Sequence, residues 1–244
     1  MRLQFLGSGD AFGSGGRFNT CVLVETAAST FLVDCGASSM IAMRRFGVDP
    51  NRIGTVFISH LHGDHFGGVP FLILDAQFYS RRTVPLTLVG PPGFRERLTQ
   101  TMEVLFPGSS TVERKFKTEI REISADQSTA INGVTVTPYL VEHVCGAPPF
   151  ALRFTCDDRV LAYTGDTEWT ESLLAVGRGA DLLIAEALFF ERRVKYHLDY
   201  ATLKASLARI GAKRVILTHM GPEMLAHIGA VPEETADDGT VVDI

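Results

Sequence analysis

The sequence predicts an α/β protein in which helices cover two packed sheets, and two observations carry that prediction. Short apolar runs repeatedly end on a polar group. Val56–Ile58 leads into Ser59-His60, Val134–Val141 into Glu142-His143, Val160–Tyr163 into Thr164-Gly165-Asp166-Thr167, and Val215–Leu217 into Thr218-His219. Polar groups delivered just past the carboxyl ends of buried strands are where open α/β sheets place their ligands. The second observation is an echo: Val56-Phe-Ile-Ser-His60 is matched by Val215-Ile-Leu-Thr-His219, each after a helical stretch and a polar turn. The echo is too short to establish a repeat, but it fits two similar α/β halves facing each other across one site. No linker-like segment divides the chain, so residues 1–244 read as a single domain.

In order along the chain, Leu3–Leu6, Cys21–Glu25 and Phe31–Asp34 read as strands separated by Gly/Ser-rich and Ala/Ser/Thr turns. In the loop Gly7–Gly13, Phe12 stands where G-x-G-x-x-G needs its last glycine, so this is a turn and not a dinucleotide fingerprint. Asp34 closes an apolar strand, a costly place for a free carboxylate. Either it bonds the second ring nitrogen of a ligand histidine, or it caps the helical segment that begins near Ser38. Phe66–Tyr79 has helical character, and Leu86–Val89 is a strand closed by Gly90-Pro91-Pro92-Gly93. A helix then runs to about Phe106-Pro107-Gly108, and Glu113–Thr118 is a charged connector. Ile120–Ile123 and Val134–Tyr139 read as strands, with Asn132-Gly133 as a hairpin turn.

Composition narrows the function. Hydrophobic residues make up 45% of the chain and mean hydropathy is +0.14, enough for a substantial core. No apolar run reaches the ~18 residues of a membrane helix, and the glycine-rich start lacks the apolar stretch of a secretion signal. A cytoplasmic location with no membrane partner is expected. Cys21, Cys35, Cys145 and Cys156 show no C-x-x-C spacing and are expected to be reduced. Cys145 lies two residues after His143, which leaves open its contact with a metal pocket. Net charge is −5, whereas long nucleic acids are usually held on concentrated basic surface. The pairs Arg44-Arg45, Arg81-Arg82 and Arg192-Arg193 are separate and read as solvated helix ends or loops.

The chemistry concentrates in Ser59-His60-Leu61-His62-Gly63-Asp64-His65-Phe66-Gly67-Gly68. Metal-capable side chains this dense would repel one another without a cation, and glycines let a tight loop turn beneath them. His60, His62, Asp64, His65, His143, Asp166 and His219 make seven candidate donors. One zinc ion typically takes four donors, and a catalytic one keeps a place for water. Two divalent ions with one bridging carboxylate are therefore the economical reading. His60 and His62 alternate along the chain and converge on one ion; Asp64 and His65, offset from them, reach a second. Zinc is expected, although manganese or iron suits the same ligands. Two such ions hold a bridging hydroxide as nucleophile and clamp an anionic group, for which a phosphodiester is best suited.

A general acid off the metals would protonate the leaving alkoxide. His197, in Lys195-Tyr196-His197-Leu198-Asp199, precedes a helix with Asp199 as N-cap, an apolar face of Tyr200, Leu203, Leu207 and Ile210, and Gly211 as its stop. It is either that acid or an exposed residue at a helix start. Glu186, ending the apolar run from Asp181, is a buried acid orienting a histidine or a surface group at a strand end. His227 has no constellation around it and reads as a surface group.

These motifs resemble the metallo-β-lactamase superfamily of hydrolases, over nearly the whole chain. The resemblance implies a four-layer αββα sandwich. It implies that His60, His62 and His143 hold one metal, that Asp64, His65 and His219 hold the other, and that Asp166 bridges. Phe5-Leu-Gly-Ser-Gly9, Phe31-Leu-Val-Asp-Cys-Gly36, Gly90-Pro-Pro-Gly93 and Leu217-Thr-His219 are most similar to the ribonuclease Z and cyclic-phosphate phosphodiesterase branch. His197 falls where that branch carries its extra catalytic histidine, and Glu186 matches the glutamate of its His-Glu-Ala-Thr motif, with Ala185 in place of the histidine. Asp64, His197 and Glu186 are thus the catalytic candidates. Ribonuclease Z also carries a long basic arm that grips transfer RNA, and Pro107–Ile120 is too short to be one. The expected substrate is accordingly a small or cyclic phosphodiester. RNA 3′-processing and lactone or ester hydrolysis on the same centre are the alternatives. A homodimer that gathers basic surface is compatible with this balance.

Overall fold

The computed structural model describes residues 1–244. Strands β1 (Arg2–Gly7), β2 (Cys21–Glu25), β3 (Thr30–Val33), β4 (Thr55–Phe57), β5 (Leu86–Gly90) and β6 (Thr118–Glu122) build one sheet. Strands β7 (Thr129–Ile131), β8 (Val134–Leu140), β9 (Phe150–Cys156), β10 (Arg159–Tyr163), β11 (Leu182–Glu186), β12 (Val215–Thr218) and β13 (Glu234–Thr235) build the other. Strand β14 (Val241–Asp243) returns to pair with β1, giving orders β14-β1-β2-β3-β4-β5-β6 and β13-β12-β11-β10-β9-β8-β7. Helices α1 (Ser39–Arg45), α2 (Gly63–Phe66), α3 (Val69–Phe78) and α4 (Phe94–Leu105) follow strands of the first sheet. Helices α5 (Ser172–Gly177), α6 (Tyr200–Ile210) and α7 (Pro222–Leu225) belong to the second.

The two-residue period of a strand sorts its side chains between layers. Val22, Val24, Phe31 and Val33 face the space between the sheets, while Cys21, Leu23 and Leu32 face α1, α3 and α4. In the second sheet Leu161, Tyr163, Leu182 and Ile184 point inward, and Ala162, Leu183 and Ala185 meet α5 and α6. Phe31, Phe57 and Phe154 lock the sheets together, with ring centroids 5.1 to 5.5 Å apart. Each such side chain removed from water contributes about 1.5–3 kcal/mol. The result is helices, sheet, sheet, helices: the αββα sandwich.

The two halves carry the site in corresponding places. Strands β3, β4 and β5 run parallel, as do β10, β11 and β12, so their carboxyl ends lie together at one rim. At the opposite rim Asn132 and Gly133 take positive φ angles (48° and 84°), as a tight hairpin turn between β7 and β8 requires. The Asn132 side-chain amide donates to Thr55 Oγ1 at 2.9 Å and Thr87 Oγ1 at 3.0 Å, tying the sheets at that end.

One arginine departs from the sequence expectation. Arg44 is solvated, as expected, but Arg82 is buried, with 2% exposure. Its guanidinium donates to the carbonyls of Val84 (2.8 Å), Pro50 (3.1 Å), Ile53 (2.7 Å) and Pro85 (2.7 Å). Those carbonyls belong to the loops entering β4 and β5, outside the strand ladders; the Pro50 carbonyl also accepts from the Ile53 amide at 3.2 Å. Hydrogen bonds to a charged group contribute ~1.5–3 kcal/mol each when broken singly. Arg82→Met should therefore lower the urea midpoint by the equivalent of about 3 kcal/mol or more, and a loss below 1 kcal/mol would show that water replaces the arginine.

Candidate metal centre

The rim begins at Asp34, the residue after β3. It is fully buried and takes a left-handed φ of 58°. That turn aims its carboxylate at the loop after β4, where Oδ1 accepts from the Ser59 amide at 2.8 Å and Oδ2 from the Ser59 hydroxyl at 2.8 Å. His65 Nδ1 lies 2.7 Å from Oδ2, so Nδ1 is the nitrogen committed to Asp34 and Nε2 is the one turned toward the other donors. His60 Nδ1 lies 3.1 Å from Ser59 Oγ and joins the same chain of donors. Of the two roles open to Asp34, the histidine bond is the one realised; Ser38, at the start of α1, makes no side-chain cap.

Gly67 and Gly68 of the motif serve close approach and not left-handed turns. A Cβ on Gly67 would lie 2.4 Å from the Gly63 carbonyl oxygen, and one on Gly68 would lie 2.3 Å from that of Gly36. Helix α2 packs that tightly because it must present Asp64 and His65 to the rim.

The candidate donors come together in two groups, His60 with His62 and His143, and Asp64 with His65, Asp166 and His219. Within each, the ligand atoms lie within 4.8 Å of one another. His143 Nε2 stands 3.0 Å from His62 Nδ1. His65 Nε2 stands 3.2 Å from Asp64 Oδ2 and 3.3 Å from Asp166 Oδ1. Asp166 Oδ2 is 3.4 Å from His219 Nε2 and 3.9 Å from His60 Nε2, so this carboxylate touches both groups. Three atoms at the focus, His60 Nε2, His65 Nε2 and Asp166 Oδ1, are buried without a hydrogen-bond partner. Buried polar atoms are rarely left so, and imidazole and carboxylate donors in this arrangement suit divalent cations. The residues present fit a metal centre.

Burial and the neighbouring His65 hold His60 well below its ordinary pKa. Burial opposes the charge on His65 too, but Asp166, Asp64 and Asp34 outweigh it and raise that pKa. His219 is likewise pushed up to about 9, as Asp166, Asp64 and Glu186 overcome its desolvation.

Beside the donors stands a second pair. Glu186, at the end of β11, is fully buried, and its Oε2 accepts from the Thr167 amide at 2.8 Å and the Leu198 amide at 3.2 Å. Its Oε1 lies 2.5 Å from His197 Nδ1. His197 Nδ1 is in turn 4.0 Å from Asp166 Oδ2, and its side chain is 24% exposed. The Ala185 departure does not detach Glu186 from His197. Cys145 Sγ donates to the Ala147 carbonyl at 3.1 Å and belongs to neither donor group. His227 is exposed and stacks on Phe190, with centroids 4.2 Å apart.

The family described as Anti-Pycsar protein Apyc1 matches residues 1–236. The chain belongs to that family. This member of the Apyc1 family is a hydrolase of the metallo-β-lactamase fold, in the ribonuclease Z-like branch. A ribonuclease Z of Anoxybacillus flavithermus is 28% identical to it, over 90% of this chain and 86% of the relative. Human tRNase Z, short form, superposes with a TM-score of 0.81 at 25% identity, covering 100% of this chain and 99% of that one. A diphosphatase of the PhnP family superposes with a TM-score of 0.79 at 18% identity, over 100% and 97% of the two chains.

Ser59 belongs to the motif that drew attention in the sequence, yet its role as relay between Asp34 and His60 has no pattern of its own. The Tyr196 carbonyl, which accepts from His143 Nδ1 at 2.9 Å, is backbone and carries no sequence signal at all.

Three outcomes follow from this geometry. Asp34→Ala frees the His65 ring and removes the acceptor for Ser59, so zinc affinity measured by chelator competition should fall ~10–100-fold; unchanged affinity would leave Asp34 a purely structural acid. His65 and His219 carry protons in the metal-free protein, so zinc uptake at pH 7 should release protons, read by calorimetry in buffers of different ionisation enthalpy. Because the pKa of His219 is raised, its contribution to the metal-free fold is complete below its ordinary 6.5 and is lost as pH rises through about 9. The Tm of chelator-treated protein should decline across that window.

Proposed function

We propose that this Apyc1-family hydrolase is a dinuclear-metal phosphodiesterase acting on a small or cyclic phosphodiester, with His197 as general acid. The observation that carries the reading is the Glu186–His197 pair at 2.5 Å beside two adjoining donor groups. Metal binding alone has no use for a buried carboxylate holding a half-buried imidazole at the edge of the donor groups.

His60, His62 and His143 would hold one ion and Asp64, His65 and His219 the other, and Asp166 is the carboxylate that reaches both groups. Zinc is the ion favoured by a donor set rich in imidazole. Ions held there supply positive charge against the phosphoryl oxygens and an activated water as nucleophile. The protein does the rest. His197 Nδ1–H donates to Glu186, which leaves Nε2 as the atom that hands a proton to the departing alkoxide. Burial works against a charged His197, but Glu186 and Asp166 outweigh it and hold its pKa above the ordinary value. That shift favours the protonated form, which this role needs.

The cleft beside His197 bears on substrate size. A cleft of about 480 Å³ borders His197, lined by Glu168, Trp169, Arg193 and Lys195 among others, a volume suited to a small ligand. The segment between α4 and β6, residues 106–117, is short and folds back by contacts such as Arg114 Nη2 to the Ser109 carbonyl at 3.3 Å. A second reading, RNA 3′-end processing, is supported by the likeness to ribonuclease Z and to human tRNase Z. The acidic balance and the missing arm favour the smaller substrate.

Turnover of a cyclic mononucleotide, bis-p-nitrophenyl phosphate, a simple lactone and precursor transfer RNA separates these readings. His197→Ala should lower kcat on the cyclic diester by roughly 10²–10⁴ while metal content stays near two per chain. The loss on bis-p-nitrophenyl phosphate should be smaller, because p-nitrophenolate leaves without a proton. Glu186→Gln should move the alkaline limb of kcat to lower pH, since the carboxylate that holds the proton on His197 is gone. Efficient lactone cleavage without diester cleavage overturns the proposal, and transfer RNA cleavage at low concentration overturns the small-substrate reading.

A further inference from the structure

The segment that carries His197 leaves β11 at Ala187 and returns to α6 at Asp199, closed at its base by the Leu188 amide donating to the Leu198 carbonyl at 3.0 Å. Its tip, residues 191–196, is exposed and has no place in any of the apolar clusters. Such a tip is expected to move freely. Its last residue is nevertheless pinned on both sides of one peptide unit pair. The Tyr196 amide donates to Glu168 Oε2 at 3.1 Å, and the Tyr196 carbonyl accepts from His143 Nδ1 at 2.9 Å. Tyr196 takes a φ of 71°, a left-handed conformation that a bulky residue adopts only when its surroundings impose it.

Glu168 is itself fixed to the strand that delivers His143. Its amide donates to the Glu142 carbonyl at 3.0 Å, and the Glu142 amide donates to Thr167 Oγ1 at 3.1 Å. Asp166 and Glu186 join the same frame, because the Thr167 amide donates to Glu186 Oε2. A closed circuit therefore runs from the residue before His143, through Glu168 and Tyr196, back to the His143 ring. His197 is the next residue along the chain.

We propose that Glu168 is a positioning residue: by holding the Tyr196 amide it sets the Tyr196 carbonyl that fixes the tautomer of His143, and with it the placement of His197. The arrangement makes one strained residue serve both the donor group of His60, His62 and His143 and the acid. With Nδ1–H committed to the carbonyl, His143 presents Nε2, the atom that faces His62, to a cation. The left-handed turn at Tyr196 reverses the chain so that its carbonyl points at His143 while the following side chain meets Glu186. Without the carboxylate, an exposed loop would relax toward ordinary backbone angles and both alignments would be lost together. The link to acid catalysis rests on the function proposed above; the link to His143 stands without it.

The test begins with metal-free protein containing 15N-labelled histidine. Long-range 1H–15N correlation reads which ring nitrogen of His143 carries the proton. The wild-type chain should show a single Nδ1–H form. Glu168→Ala and Glu168→Ser, both too short to reach the amide, should show a mixture, and zinc affinity of the weaker-binding step in chelator competition should drop ~10–100-fold. Glu168→Gln keeps an oxygen that can accept from the Tyr196 amide and should restore both readouts, and Tyr196→Gly, which keeps the carbonyl and relieves the strain, should retain the Nδ1–H form. Circular dichroism establishes that each variant is folded, and two truncations guard against loss of either one. A pure Nδ1–H form and wild-type zinc affinity in the truncated variants overturn the proposal; so does failure of Glu168→Gln to rescue, which would make the role one of charge. Should wild-type protein cleave no diester while the His143 signal responds as stated, the function proposed above falls and the positioning role stands.

Discussion

The Asp34 carboxylate accepts three hydrogen bonds in a space closed to water: the Ser59 amide, the Ser59 hydroxyl and the His65 ring. A buried carboxylate is costly unless it is hydrogen-bonded, and these donors engage both of its oxygens. In return it decides which nitrogen of His65 and, through Ser59, which nitrogen of His60 is turned to the rim. Both of those Nε2 atoms face Asp166. The left-handed backbone at Asp34 is the local strain that makes this possible, since an ordinary strand continuation would carry the carboxylate past β4. One acid thereby organises donors that will be shared between two groups.

What it organises is a charge distribution that the protein alone does not balance. Asp166, His60, His65 and His219 are all buried within a few ångström of one another, and their pKa values diverge: His60 is driven neutral while His65 and His219 hold protons. Protons on those two imidazoles stand in for cations by neutralising Asp64 and Asp166. The fold is thus arranged for positive charge at the rim and obtains it from whichever source is present. Metal uptake and proton release are two sides of that single requirement.

Much of this was legible in the sequence because strands obey a two-residue period and the donors sit at their ends. Val56–Ile58 before His60 and Val215–Leu217 before His219 announced two sheets meeting at one rim, although β4 is the third strand from the nearer edge of its sheet and β12 the second of its own, so the echoed strands are not equivalent. The pairings that cross the chain were harder to read. Asp34 could have been a cap, because a carboxylate after a strand looks the same whether it turns inward or outward; the φ angle decides, and sequence does not display it. Arg82 beside Arg81 looked like a solvated pair. Its burial depends on four carbonyls brought together by loops at Pro50, Ile53, Val84 and Pro85, which no local pattern foretells. Tyr196 acts through its backbone, so its identity is nearly irrelevant to what it does.

The donors and the acid differ in what holds them. His60, His143, Asp166 and His219 follow strands or short turns whose hydrogen bonds and apolar faces belong to the sandwich itself. His197 hangs on an irregular excursion whose tip is exposed, and it is placed by Glu186 and by the Tyr196 ties. Disturbing the ligand cluster means disturbing the core, whereas the excursion from Ala187 to Asp199 can change length or charge at little cost to folding. Arg193 and Lys195, which line the cleft, lie on that same excursion. Arg193, Lys195 and His197 thus share one loop, and because its Tyr196 carbonyl also holds the His143 ring, only changes at the tip ahead of Tyr196 leave the donor group undisturbed.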